Sequence, residues 1–137
     1  MEMIYKAARL EKETAGALEL AMINEQTLRE LTEDEVFTFR LTACDNQVDR
    51  EGERFTETTL EQLGKLYIGK PVLRDHNWSA ETQTARVYDA HLEKRGDVKR
   101  LVLSCYMVRT ASTADTIAAI EGGILRECSV GCAVEHV

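Results

Sequence analysis

The stretch VFTFRLTAC, residues 36–44, decides the class of fold. Large apolar side chains at Phe37, Phe39 and Leu41 alternate with Thr38 and Arg40. A period of two residues predicts a β-strand that turns one face to the core and the other to solvent. Because one strand cannot bury that face alone, the stretch indicates a β-sheet around which the rest of the chain is arranged.

Further strands are predicted on both sides of this stretch. The strand predicted at Leu101–Val108 is apolar on both faces, which is typical of a central strand, and it follows a turn-rich segment at residues 94–97. The last strand alternates larger side chains with small ones around Ser129 and Gly131. The four additional strands are expected at Ala17–Ile23, Ala85–Leu92, Leu101–Val108 and Cys128–Val134.

Two helices complete the pattern. Thr59 and Gln62 have the spacing of a capping box, and apolar residues recur at helical intervals through Tyr67 before Gly69 and Pro71. The second helix follows a cap at Ser112 or Thr113 and ends at residues 122–123, which are both glycine. Residues 1–14 predict either a frayed leader or a short helix. The expected fold is therefore mainly β with flanking helices, an α+β class.

Composition limits the function. The chain has 137 residues, 44% of them apolar, and its formal net charge is 17 − 24 = −7. These values predict one folded domain over residues 1–137. The acidic balance argues against a broad nucleic-acid or membrane surface. Four cysteines without a secretion signal predict reduced thiols in a cytoplasm. No phosphate-binding glycine motif points to a nucleotide cofactor, and we expect no cofactor.

His76 and Ser129 are the candidate catalytic residues. An imidazole can accept the proton of a serine hydroxyl as that oxygen attacks a carbonyl, and it can later return the proton to the leaving amine. The small side chains around Ser129 would let a peptide backbone approach closely. Taken alone, an isolated histidine such as His76 is more often a surface histidine bonded to its loop. The pattern of the last strand alone is likewise more typical of a strand covered by a helix.

A zinc site is the competing interpretation of the C-terminal residues. Cys128, Cys132 and His136 are all potential zinc ligands. In an extended strand, however, positions four apart are separated by about 13 Å, which is too far for a shared ion. A helix would bring them together, but Val130 and Gly131 disfavour one. We therefore expect no metal site.

The order of these features resembles the phage prohead proteases, or capsid maturation proteases, which are relatives of herpesvirus assemblin. Three segments within residues 37–134 carry the resemblance: CDNQVDREGE at 44–53, GKPVLRDH at 69–76, and ECSVGC at 127–132. In that family, a His after a "PVL" strand and a Ser in an "S-[IV]-G" strand act as base and nucleophile. The resemblance therefore assigns His76 as the general base and Ser129 as the nucleophile.

The resemblance also implies a fold and a biological role. The fold would be a herpesvirus-protease-like β-barrel of mostly antiparallel strands. The reaction would be cleavage of scaffolding or capsid protein inside the prohead, in the host cytoplasm. Self-cleavage and homo-oligomerisation are also implied. A third residue that orients the His usually follows the Ser in this family, so the sequence predicts either a protease domain truncated at its C-terminal end or this role for Glu135, His136, Asp89 or His91.

A non-enzymatic phage structural or scaffold-binding module on the same barrel is the alternative. In that case an exposed strand edge at Phe37–Leu41, or the helix after Thr59, would be the partner surface. The two interpretations differ in geometry, because a protease requires His76 Nε2 close to Ser129 Oγ.

Overall fold

Six strands form one antiparallel sheet in the computed structural model, which describes residues 2–45, 56–73 and 83–134. The sheet curls into a half-barrel, and its strand order is β3-β4-β5-β2-β1-β6. The predicted α+β class is confirmed. The strands are β1 (Glu2–Glu13), β2 (Val36–Asp45), β3 (Pro71–Leu73), β4 (Gln83–Arg95), β5 (Val98–Val108) and β6 (Glu127–Val134).

Within the described ranges, three α-helices accompany the sheet: α1 (Ala17–Asn24), α2 (Glu57–Tyr67) and α3 (Ala114–Glu121). A short 3-10 turn at Glu33–Glu35 leads directly into β2. The side chain of Glu35 accepts a hydrogen bond from the Thr32 backbone N–H at 3.1 Å, which closes this turn. Arg29 holds Glu35 from the other side at 2.7 Å and, with Thr32, lowers the pKa of that carboxyl to about 2.

The larger core lies on one face of the sheet, at the centre of which β2 pairs with β5. Phe37, Phe39 and Leu41 are opposite Met107, Cys105 and Leu103, so large apolar side chains from both strands share this face. Phe37 and Phe39 meet edge to face at 6.1 Å between ring centres. Helices α2 and α3 cover them with Leu60, Ile117 and Ile120. Each fully buried side chain of this size contributes about 1.5–3 kcal/mol.

A smaller core lies on the opposite face, beneath α1. Ile23 of α1 is completely buried against Tyr88 and Tyr106, with Leu31 and Val36 beside them. The two tyrosine rings are 6.3 Å apart. Since α1 covers part of this face and α2 and α3 cover part of the other, the central strands are buried on both sides. Accordingly, every residue from Leu101 to Met107 is buried, as predicted for a central strand.

Helix α1 corrects the prediction of a strand at Ala17–Ile23. The alternation of Leu18 and Leu20 with alanines did not distinguish a strand from a helix, because alanine fits both a helix and the buried face of a strand. The Gly16 N–H donates to the Glu19 carboxylate at 3.0 Å and fixes the first turn of the helix. Ala, Leu, Glu and Met, which make up most of this segment, are strong helix formers.

Strand β1 corrects the prediction of a leader or short helix at residues 1–14. Its hydrogen-bonding partners are distant in the chain, since β1 pairs with β2 on one side and β6 on the other. Its charged residues are accommodated across the strands: Glu11 is opposite Arg40, whose Nε lies 3.7 Å from the Glu11 carboxylate. Such tertiary partners override weak local periodicity.

Two smaller predictions also change. Helix α2 is confirmed, but it begins three residues early, because the Thr56 hydroxyl rather than that of Thr59 caps it and accepts from the Thr59 N–H at 3.2 Å. The proposed partner surface at Phe37–Leu41 is wrong. Strand β2 lies between β5 and β1, and Phe37 and Phe39 are each only 1% exposed.

Gly64 brings α2 close to the sheet. A Cβ at this position would lie 3.1 Å from Leu101 Cδ1 and 3.5 Å from the Ala90 Cβ. We expect Gly64→Val to lower the free energy of unfolding by about 1–3 kcal/mol, because the added carbons enter a packed core. Chemical denaturation measures this change.

The matched control is Glu61→Val, which introduces the same branched side chain at an exposed position of the same helix. It should cost less than about 1 kcal/mol, the range of helix propensity alone. Equal losses for the two variants would show that α2 does not pack on Leu101 through Gly64.

Candidate active site

Ser129 lies on β6, at one end of the strand order. The strand predicted at Cys128–Val134 is confirmed as Glu127–Val134, and Ser129 is paired with Ala7 of β1. A turn after α3 places this strand: Gly123 has a φ of 74°, and the Arg126 guanidinium donates to the Gly123 carbonyl at 2.7 Å. The Leu10 N–H then donates to the Arg126 carbonyl at 2.8 Å, which begins the pairing of β6 with β1.

Strand β3, which precedes His76 in the sequence, lies at the other end of the strand order. Gly69, with a φ of 84°, donates its N–H to the Val87 carbonyl at 2.8 Å, and the Arg86 guanidinium donates to the Gly69 carbonyl at 2.7 Å. These bonds fix Pro71–Leu73 against β4. His76 itself, and the loop at residues 46–55, lie outside the described residues.

The hydrogen-bonding register shows how far apart the two ends are. One row of paired residues crosses five strands: Glu127, Arg9, Thr42, Val102 and His91. Ser129 is two residues from this row in one direction, whereas Gln83, the partner of Leu73, is eight residues from it in the other. The offset of nearly ten residues corresponds to about 30 Å along the strands. Five strand spacings add about 24 Å across the sheet.

Two of the candidates for the residue that orients the base lie on β4. His91 Nε2 is 3.8 Å from the Glu93 carboxylate, which accepts from Arg40 at 3.0 Å. Asp89 lies at a β-bulge next to Tyr88. Both are four strands away from Ser129, or about 19 Å measured along the sheet, and their strand is not hydrogen-bonded to β6. Glu135 and His136 lie outside the described residues.

The zinc interpretation depends on the same strand. Cys128 and Cys132 are four positions apart on β6, and the extended backbone separates such positions by about 13 Å. His136 lies outside the described residues. Among the residues that the structure describes, no group of three His, Cys, Asp or Glu side chains is arranged to hold a metal ion.

A buried polar cluster on the α1 face of the sheet was not predicted from the sequence. The Tyr88 hydroxyl and Glu13 Oε2 are buried and have no hydrogen-bond partner among the described residues. Gln26 lies nearby, because its amide donates to the Val87 carbonyl at 3.1 Å. Val87 faces the larger core and Tyr88 the smaller one, and the β-bulge between Val87 and Asp89 lets Ala90 return to the larger-core face. A bulge of this kind leaves no clear signal in a single sequence.

The Tyr88 phenol at the centre of this cluster is held in its neutral form. Burial raises the pKa of the Tyr88 phenol above its ordinary value of 10.0, and the negative charge of Glu13 raises it further. The Ser104 side chain lies close enough to the phenol to lower its pKa as a hydrogen-bonding group, but the geometry of a full hydrogen bond is not met, and the rise is not reversed. Tyr88 is therefore a neutral phenol throughout the physiological range.

Comparisons with known proteins add no assignment. No family model matches the chain, and neither a curated protein nor a solved structure matches it. Within the part of the chain that the structure describes, no helix has the length and apolar character to cross a membrane.

The unpartnered phenol gives a stability prediction. We expect Tyr88→Phe to leave the free energy of unfolding at pH 7 unchanged or to raise it by up to about 1–3 kcal/mol, because it removes a buried hydroxyl that lacks a partner. Above pH 10 the gap should widen, since an unfolded chain ionises this phenol while the folded chain resists doing so. Denaturation at pH 7 and pH 10.5 measures both effects.

Tyr106→Phe serves as the comparison, because Tyr106 belongs to the same apolar cluster and is 8% exposed. A loss of more than about 1 kcal/mol in Tyr88→Phe would mean that the hydroxyl makes a hydrogen bond in the folded protein.

Proposed function

We propose that this protein is a serine endopeptidase of the prohead protease type, with His76 as general base and Ser129 as nucleophile. The observation that carries the proposal is the match of motif to strand: the segment with Ser129 is a β-strand, and the segment before His76 is a second β-strand. The resemblance to the prohead proteases predicts a strand in each of these segments. The herpesvirus-protease-like barrel belongs to the same proposal.

The chemistry follows from the two side chains. His76 Nε2 accepts the hydroxyl proton as Ser129 Oγ attacks the peptide carbonyl, and a tetrahedral intermediate forms. Its collapse breaks the C–N bond, and the imidazolium gives its proton to the leaving amine. Water then attacks the acyl-enzyme with His76 again acting as base, which releases the acid and restores Ser129.

The geometry that this reaction needs is closure of the half-barrel. Strands β3 and β6 are the two ends of the strand order, so rolling the sheet further brings them toward each other. A closed barrel has a stagger, or shear, between its first and last strands because the strands are tilted. The offset between Ser129 and the end of β3 is nearly ten residues. A barrel with a shear of about that size would bring Ser129 beside the segment that follows Leu73.

The biological role is inferred from the resemblance alone. The substrate would be scaffolding protein or the scaffolding segment of the capsid protein, and the site of action would be the prohead in the host cytoplasm. Confinement inside the prohead would give a high local concentration of substrate. The protein would form homo-oligomers there and would act without a cofactor, nucleic acid or membrane.

A fluorophosphonate, which reacts with activated serines, tests the dyad without knowledge of the natural substrate. We expect one adduct per chain, located on Ser129 by peptide mass mapping. Ser129→Ala should abolish it, and His76→Ala should slow it by about 100-fold or more, the typical contribution of a general base.

Ser112→Ala is the matched control for the serine, since Ser112 is exposed on the surface. It should label at the wild-type rate. An unlabelled wild type, or labelling at Ser129 that His76→Ala leaves unchanged in a folded variant, would contradict the proposal and favour the non-enzymatic module.

A further inference from the structure

Helix α1 exposes apolar surface on the side that faces away from the sheet. Ile23 is buried and Leu20 is half-buried, but Leu18 is 70% exposed, and Ala17 and Ala21 are exposed next to it. A helix that is apolar on every side is normally covered on every side. Among the described residues, nothing covers this one.

A groove runs along the same helix. It has a volume of about 420 Å³ and its lining is mainly apolar; the lining residues are Ala17, Leu20, Ala21, Asn24, Glu25 and Glu30. The first four have the spacing of one helix face, at positions i, i+3, i+4 and i+7. Small side chains at two of these positions allow another backbone to approach closely, as in the packing of two helices 8–10 Å apart.

The charges around the groove select its occupant. Residues 16–35 contain six acidic side chains and one basic one, Arg29, which is a local net charge of 1 − 6 = −5. Arg29 is engaged by Glu35 at 2.7 Å. Glu25 and Glu30 therefore give the groove an acidic edge. A cationic partner is attracted to this edge, whereas an anionic membrane is repelled.

A second copy of the chain fits less well. A symmetric dimer through α1 would place the same acidic patch of each copy against the other. Like charges brought together at an interface oppose association. The apolar groove and its acidic edge instead complement a helix with aliphatic residues on one face and Lys or Arg beside them.

We propose that the groove of α1 binds a basic amphipathic helix of a partner protein. This docking surface does not rest on the peptidase activity, because none of its residues belongs to the proposed dyad. Helix α1 is about 12 Å long, so roughly two turns of a partner can lie along it. Contact over this length is small, and we expect a dissociation constant in the micromolar range.

The test uses an 18-residue peptide of Leu and Lys, with Leu at helical positions i, i+3, i+4 and i+7. It is titrated into the full chain labelled with ¹⁵N. Amide shifts should change at residues 17–30, and Ala21→Arg, which places a bulky cation in the groove, should weaken binding at least tenfold. Ala118→Arg is the matched control, because Ala118 is exposed on α3, outside the groove, and it should leave binding unchanged. A peptide with Glu in place of Lys should not bind.

Three results would overturn the proposal: shift changes elsewhere on the chain, equal effects of Ala21→Arg and Ala118→Arg, or self-association of the wild type that Ala21→Arg abolishes. Circular dichroism confirms that each variant is folded. Ser129→Ala should bind the peptide as the wild type does, so failure of the docking surface and failure of the peptidase proposal are separate outcomes.

Discussion

The pairing of β2 with β5 is the interaction on which the remaining structure depends. It sets Phe37 and Phe39 opposite Met107 and Cys105, and it makes a strip of apolar side chains that α2 and α3 cover. The opposite face of the same pair carries Tyr106 and Val36, which pack beneath α1. Both faces of this pair are therefore covered. The two strands occupy the centre of the sheet, with β4 and β3 beyond β5, and β1 and β6 beyond β2.

In this strand order, β3 and β6, the two strands tied to the proposed chemistry, lie at opposite ends. Neither the central pair nor the helices bring them together, since the register places Ser129 and Leu73 about 30 Å apart along the strands. The peptidase proposal therefore requires the sheet to close into a sheared barrel. The proposed docking surface on α1 does not require this closure, because it lies within one helix and the loop that follows it.

The parts of the fold that follow local rules could be predicted from the sequence. Strand β2 shows clean alternation, and β5 is largely apolar from Leu101 onward. Helices α2 and α3 have apolar spacing and end signals. The failures share a cause. Strand β1 and helix α1 have ambiguous local patterns, decided by the pairing of Glu11 with Arg40 and by the contact of Gly16 with Glu19. The site was harder, because the sequence named His76 and Ser129 without showing that β3 and β6 lie at opposite ends of the sheet, and the Tyr88 cluster lies at a bulge.

The distance between His76 Nε2 and Ser129 Oγ tests the central claim most directly, and a crystal structure of the chain would measure it. We predict hydrogen-bond reach, about 2.6–3.2 Å or somewhat longer without substrate, in a barrel where β3 and β6 are neighbours. A well-ordered structure with the two atoms more than about 7 Å apart would contradict the dyad, because no proton can pass directly between groups so far from hydrogen-bond distance.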